Sequence, residues 1–310
     1  MRLLALSLFL LASSLYAQGP EWAYQSVTEE IPEAHHFDPN ELRSVPGSDL
    51  QLTQDQIDDH WNPPDWFPND HAPWPEIVAH GKGREVRACA ACHLASGMGH
   101  PESSQLAGYP VSYLVRQMEY FRTGERTDRY WMNGFAEYIT DEEILEAAEY
   151  FSAIEPIKWV MDVIETDTVP RTYIGDGRMR FVHPDGGTEE LGYKIIEVPE
   201  DRELATTRHP YSGFVAYTPV GSIERGRNLV TTGGGKTLPC AACHGADLRG
   251  GFLDYPGIAG GSPVYSIRQL YDFQTGARGG AMGALMSPVV ANLTTEDMVD
   301  IVAYLATLDP

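Results

Sequence analysis

Four cysteines occur in these 310 residues, and all four fall within two copies of one pentapeptide, Cys89-Ala-Ala-Cys92-His93 and Cys240-Ala-Ala-Cys243-His244. C-x-x-C-H is the attachment motif of c-type haem: two thiols add across the haem vinyl groups, and the adjoining histidine reaches the iron. Two covalently bound haem c groups are therefore expected, and no thiol is left for a disulfide. A redox dithiol or a four-sulfur zinc site would use C-x-x-C alone. Neither needs a histidine after each second cysteine, and neither explains the same five residues appearing twice.

The repetition extends beyond the motif. A shift of 152 residues lays Tyr113, Arg116, Gln117, Phe121, Thr123, Gly124 and Arg126 on Tyr265, Arg268, Gln269, Phe273, Thr275, Gly276 and Arg278. Leu106-Ala107-Gly108 matches Ile258-Ala259-Gly260 at the same shift, so the chain holds two copies of one haem domain. Each copy reads as a small helical unit. A short helix precedes the motif, over residues 77–87 in one copy and 223–229 in the other. A helix carrying Arg-Gln then ends at Gly124 or Gly276, as a C-cap glycine would end it. The last helix opens with Thr140-Asp141-Glu142-Glu143 or Thr294-Thr295-Glu296-Asp297, a threonine cap with an acid three residues on. Its apolar face is expected to hold Ile144, Leu145, Ala148 and Phe151 in the first copy and Met298, Ile301, Val302 and Leu305 in the second. Domains this small have thin cores, and a haem packed between the helices would supply much of the missing buried surface.

A second iron ligand separates an electron carrier from a catalyst, because an open position binds peroxide, oxygen or substrate. Met132 lies seven residues before Ile139, and Met286 seven before Leu293, at equivalent places ahead of the last helix. They are the expected axial partners of His93 and His244. Met118 aligns with Leu270 in mid-helix and reads as packing, Met98 sits too near its motif to come round to the far face, and Met282 has no counterpart.

These ordered motifs resemble the di-haem class I cytochromes c of the cytochrome c4 kind: C-x-x-C-H, then L-A-G, a Y-x-x-x-Q helix ending in G-x-R, and a methionine before an L-S-D-E-like helix start. The resemblance covers residues 78–154 and 221–308. It implies a mainly α fold of two tandem class I cytochrome c domains, and a periplasmic one-electron carrier with two haems close together across the interface. In such domains a proline carbonyl three residues before Ala-Gly accepts the free ring N–H of the haem histidine. Pro256 is placed to serve His244, whereas the matching position for His93 is Ser104.

Export is expected from the first residues, MRLLALSLFLLASSLYAQG, which read as a signal peptide over residues 1–17. No stretch reaches the ~20 apolar residues of a membrane span, so no integral span is expected. Forty-four acids against 22 bases give −22, which argues against nucleic acid as a partner. The acids are concentrated in an N-terminal extension, residues 18–79, with 13 acids and one base. Its charge suggests a solvated arm, and its Trp22, Trp61, Trp66 and Trp74 suggest that parts of it dock. His35, His36, His60 and His71 are read as structural or surface groups. Haem domains are expected over 80–155 and 220–310. Between them, residues 156–219 exceed an ordinary connection and are expected to form a hairpin or small sheet from residues 180–183 and 193–198 with a turn at Asp185-Gly186-Gly187. The Gly233–Thr237 stretch only superficially resembles a phosphate loop. The function expected is electron carriage between redox proteins, the partner having a basic docking face and including a membrane-associated oxidase or dehydrogenase. The alternatives are a di-haem oxidoreductase, such as a peroxidase or sulfur-compound oxidase, and a fixed redox subunit of a larger complex.

Overall fold

The computed structural model describes residues 19–26, 31–251 and 254–310; the expected signal peptide lies outside them. Among its described residues the extension contributes two 3-10 turns, Glu21–Ala23 and Glu33–His35, and one short α-helix, α1 (Gln54–Ile57). The first haem domain comprises α2 (Glu76–Ala79), α3 (Ala90–His93), α4 (Val111–Thr123), α5 (Met132–Tyr138) and α6 (Asp141–Ser152). Between the domains run β1 (Val160–Glu165), β2 (Thr168–Pro170), β3 (Thr172–Ile174), β4 (Arg180–Val182), β5 (Thr188–Glu190), β6 (Ile196–Pro199), α7 (Arg202–Thr206) and β7 (Phe214–Thr218). The second domain repeats the helical pattern with α8 (Ser222–Thr232), α9 (Ala241–His244), α10 (Pro263–Thr275), α11 (Gly280–Val290) and α12 (Thr295–Ala306). This is the mainly α architecture of two tandem class I cytochrome c domains. Among the described residues, no helix is long and apolar enough to cross a membrane.

Local chemistry places the helix ends. Helices α4 and α10 stop at Gly124 and Gly276, whose φ values of 78° and 80° lie in the left-handed region that glycine enters without a Cβ penalty. Helices α6 and α12 open with complete capping boxes, Thr140 with Glu143 and Thr294 with Asp297.

Two local expectations are corrected. The helix expected over 77–87 is a single turn, because the chain breaks at Gly81 (φ 65°) and doubles back so that Lys82 and Val86 pair. A Cβ on Gly81 would come within 2.2 Å of the Val86 carbonyl oxygen. The second-copy helix α8 is by contrast full length and lies against α12 at Gly226, where a Cβ would meet the Asp300 backbone oxygen at 1.8 Å. That difference explains the second correction. Leu145 is 44% exposed, whereas Val299, the same distance beyond its threonine cap, is fully buried. The truncated α2 does not cover the flank of α6 as α8 covers that of α12.

The segment between the domains forms three small sheets, not one hairpin. Strand β7 is central in one, parallel to β1 and antiparallel to β6, while β2 pairs with β5 and β3 with β4, both antiparallel. The strands expected at 180–183 and 193–198 therefore both exist but do not pair with each other. The chain leaving β4 through Gly186 and Gly187 enters a different sheet. Strand β4 pairs instead with β3, which closes a shorter loop and joins Phe181 to Tyr173 in an apolar cluster with Trp159 and Phe214.

The extension is docked. Trp66 is 2% exposed, packs with Val45 and Ile57, and donates its indole N–H to the Thr207 carbonyl at 2.8 Å. Arg43 reaches Glu203 at 2.5 Å. At the start of the described chain, Ala23 enters the core of the second domain and Tyr24 donates to Asp272 at 2.9 Å. Among its described residues Glu21, Glu33, Asp38, Glu41, Asp49, Asp55, Asp70 and Glu76 are exposed, while Trp66 is buried, so the aromatic groups anchor the extension and most of its acids face water.

Candidate haem sites and the interface between them

Each C-x-x-C-H segment is one helical turn, α3 or α9, which sets its two cysteines and histidine at i, i+3 and i+4 on one side. The chain then turns back sharply: the amide of Gly99 donates to the His93 carbonyl at 2.9 Å, and that of Gly250 to the His244 carbonyl at 2.8 Å. This return brings a backbone carbonyl to each histidine ring. His93 Nδ1 lies 2.8 Å from the Ser104 carbonyl oxygen, and His244 Nδ1 lies 2.8 Å from that of Pro256. A carbonyl only accepts, so Nδ1 carries the proton in both rings and Nε2 is left as a lone-pair donor. The serine at position 104 thus changes nothing in this bond, because the backbone rather than the proline ring makes it. Burial pushes both imidazoles toward the neutral form that a metal requires.

Two cavities open onto these turns. One, of about 750 Å³, is lined by Cys89, Cys92, His93, Met118 and Met132. The other, of about 180 Å³, is lined by Cys240, Cys243, His244, Met282 and Met286. Met132 opens α5 and Met286 lies within α11. Met98 packs elsewhere, in the cluster around Trp159. Each histidine thus shares a cavity with its assigned methionine and with one other, Met118 or Met282.

The residues fit haem and do not fit zinc. The two cysteine pairs face different cavities, so they cannot join in one four-sulfur site. Among the described residues no group of three or more His, Cys, Asp or Glu side chains could hold a bare ion. Arg126 and Arg278 supply a further indication. Both guanidiniums are buried, all their hydrogen-bond partners are neutral, and one lines each cavity. Buried cations call for counter-charge, which the two propionates of a haem carry.

Between the domains the repeated residues cross over. Arg126 donates to Tyr265 and Gln269 of the other domain, each at 2.9 Å, while Arg278 donates to Tyr113 at 2.6 Å and Gln117 at 3.0 Å. The two arginines pair in an antiparallel bridge, flanked by Thr127 N–H to the Ala277 carbonyl at 2.8 Å and Gly279 N–H to the Glu125 carbonyl at 2.7 Å. The Y-x-x-x-Q…R repeat is therefore an interlocking pseudo-two-fold interface. Sequence alignment within the chain marked these residues as equivalent, but equivalence does not reveal that each serves the other copy.

Other expectations resolve individually. Lys236 of the glycine-rich stretch is bound by Asp297 at 2.7 and 2.8 Å, a structural ion pair. His35 bonds Tyr173, His36 the Ile31 carbonyl, and His71 Asp65, as structural groups do. His60 differs, because it lines the first cavity.

Two cavities of this kind, each with an attachment turn and a carbonyl-tethered histidine, on tandem helical units define a class of protein. The family model described as Cytochrome c matches residues 223–309. Cytochrome c-554(548) of Halomonas halodenitrificans is 40% identical over 65 residues, 21% of this chain and 78% of that protein. Cytochrome c4 of Pseudomonas aeruginosa is 35% identical over 75 residues, 24% of this chain and 36% of that one. The thiosulfate dehydrogenase electron acceptor of Thiomonas intermedia (strain K12) is 25% identical over 227 residues, 72% of this chain and 79% of that one. The chain belongs to the class I c-type cytochromes, of the cytochrome c4 kind. It is a di-haem electron-transfer cytochrome with two covalently bound haem c groups.

Proposed function

We propose that this chain is an exported, periplasmic carrier that passes electrons singly between redox proteins through two His/Met-ligated haems. Cys89 and Cys92 anchor the first haem and Cys240 and Cys243 the second; His93 and Met132 ligate one iron, His244 and Met286 the other. When bound, each haem supplies an iron that alternates between ferric and ferrous. The chain's own part is to hold the rings still. The Ser104 and Pro256 carbonyls fix the histidines, the helical cores exclude water, and Arg126 and Arg278 hold the domains together while offsetting propionate charge. The observation that carries this reading is the doubling: each cavity brings an attachment turn, a tethered histidine and a methionine to one place.

The donor is a thiosulfate dehydrogenase, a reading supported by the relative from Thiomonas intermedia, whose similarity covers 72% of this chain and 79% of that protein. Partners meet the second domain, because its attachment turn is open: Ala241, Ala242 and Cys243 are exposed, and Leu238 and Leu285 of the same domain are 61% and 52% exposed.

A pyridine haemochrome assay should give two haems per chain, and neither reduced haem should bind carbon monoxide at neutral pH. Met132→Ala should open the first haem alone and Met286→Ala the second. One haem per chain would refute the attachment scheme, and rapid carbon monoxide binding by the unmutated protein would replace the carrier with a di-haem oxidoreductase.

A further inference from the structure

The two cavities hold the same group but are not alike. By the internal repeat, Arg116 corresponds to Arg268 and Arg126 to Arg278, and each cavity is lined by one arginine of each pair. That symmetric set accounts for the cations the second cavity has. The first has four more, Arg87, Arg129, Arg178 and Arg208, together with His60 and His100, and about four times the volume. Arg178, Arg208 and His60 come from the inter-domain segment and the N-terminal extension, which the second cavity does not use.

The extra arginines gather at one edge. Arg208 donates to the carbonyl of Ala91, the residue before Cys92; Arg87 and Arg178 lie over the neighbouring rings of Trp131 and Tyr130; and all three line the cavity together with Cys92. Cys92 marks the thioether edge of a haem, and the propionates leave the opposite edge of the macrocycle, so this cluster is not the propionates' counter-charge. Of the three, Arg208 alone has an ion-pair partner, Asp58. Among the described residues, no ion pair involves Arg87, Arg129 or Arg178. Arg87 lies 4.2 Å over the Trp131 ring and Arg178 3.4 Å over that of Tyr130. Stacking occupies the faces of the guanidiniums and leaves their N–H edges free. Arg178 Nε is buried without a hydrogen-bond partner, and the residue is held at φ 60°, a left-handed conformation that costs an ordinary side chain of order 1–3 kcal/mol. Arg208 is partly used, by the Ala91 carbonyl and by Asp58 at 3.3 Å. The lining carboxylates are engaged: Asp128 accepts the amides of Tyr130, Trp131 and Met132, Glu102 pairs with Arg268, Glu143 with Lys82, and Asp272 accepts from Tyr24.

We propose that the wall of the first cavity beside Cys92 binds one small tetrahedral oxyanion, a sulfur oxyanion or phosphate, through Arg87, Arg178 and Arg208. Half-buried guanidiniums inside a cavity suit a small ion and not the flat face of an acidic protein. The site rests on the di-haem reading only in identifying the thioether edge.

The test uses the holoprotein with both haems counted. Calorimetric titration with sulfate, thiosulfate and phosphate separately, against chloride at matched ionic strength, should show one saturable site for at least one oxyanion, and the preferred anion identifies its source. Arg178→Gln and Arg87→Gln should each weaken binding at least tenfold, and Arg116→Gln, in the other cavity, should leave it unchanged. An anion held beside the first haem favours its ferric state, so that haem's midpoint potential should fall as the oxyanion rises while the second stays fixed. Two haems with no binding above the chloride control, or binding indifferent to both substitutions, would overturn the site while leaving the carrier reading intact. Fewer than two haems in the unmutated protein would overturn the carrier reading instead.

Discussion

The two haem domains share a motif, a fold and a histidine tether, yet they meet their surroundings differently. In the first, Ala90 and Ala91 are buried, Ala88 N–H donates to the His60 carbonyl at 2.9 Å, and Arg208 donates to the Ala91 carbonyl. In the second, the equivalent Ala241 and Ala242 are exposed. Ala90 packs in the domain's own core, and chain outside the repeat adds cover through His60 of the docked extension and Arg208 just after α7. The duplicated sites thus share their motif, and their surroundings differ: the second attachment turn is exposed, while the first is covered and its cavity carries four more arginines.

The largest test of that division is to remove the cover. Trp66→Ala deletes a fully packed aromatic and its hydrogen bond to Thr207 and should destabilise the extension and the first domain by about 3–5 kcal/mol. Unfolding followed separately at each haem should show the first destabilised and the second little changed. Equal losses at both haems would mean that the cover is not specific to one domain.

Next in size is a pH effect confined to the second domain. Glu197 on β6 is 1% exposed and accepts the Val264 amide at 2.9 Å at the start of α10, a role with no side-chain counterpart at α4, whose N-cap is Pro110. Burial lifts it from 4.5 to about 7. Between those values the folded chain keeps a proton that the unfolded chain has lost, so stability falls as pH rises through that window. Glu197→Gln should stabilise the protein by about 2–3 kcal/mol at pH 8 and by little at pH 5. Denaturant midpoints at the two pH values measure this, and a gain equal at both would exclude a charged Glu197 as the cause.

A smaller effect is expected at the open port. Leu238→Ser with Leu285→Ser should slow electron exchange with a partner up to about tenfold, worth ~1.4 kcal/mol of encounter stability, with both haem spectra unchanged. Stopped-flow rates decide this, and the same change at the exposed Leu145 of the first domain should have no effect.

The smallest effect belongs to the acidic extension. Because it is docked through tryptophans, deleting it would confound charge with structure. Replacing the exposed Glu33, Asp38, Glu41, Asp49 and Asp55 by Asn or Gln should instead flatten the ionic-strength dependence of exchange with a basic partner by a factor of a few. An unchanged salt slope would show that these acids do not steer.

Much of the site was legible in sequence, because haem attachment depends on local spacing: one turn of helix fixes Cys89, Cys92 and His93 relative to one another whatever surrounds them. Capping boxes at Thr140 and Thr294 and left-handed glycines at 124 and 276 are local for the same reason. Helix α2 was overestimated because its break depends on Gly81 meeting Val86, and the exposure of Leu145 followed from that break. The strands of the inter-domain segment were visible as apolar alternation, but their partners were not, since pairing is a long-range choice that leaves no mark on either strand alone.

The sequence by itself determined the cofactor, its number and the doubling of the fold, each encoded within a few consecutive residues or by identity between two stretches. Only the tertiary structure decided that Arg126 and Arg278 each serve the other copy, that Ser104 can replace a proline as the histidine's acceptor, and that the extension and the chain after α7 cover one attachment turn and not the other. Those outcomes depend on which surfaces meet across more than a hundred residues of chain, and contact of that kind is set by the packing of whole domains.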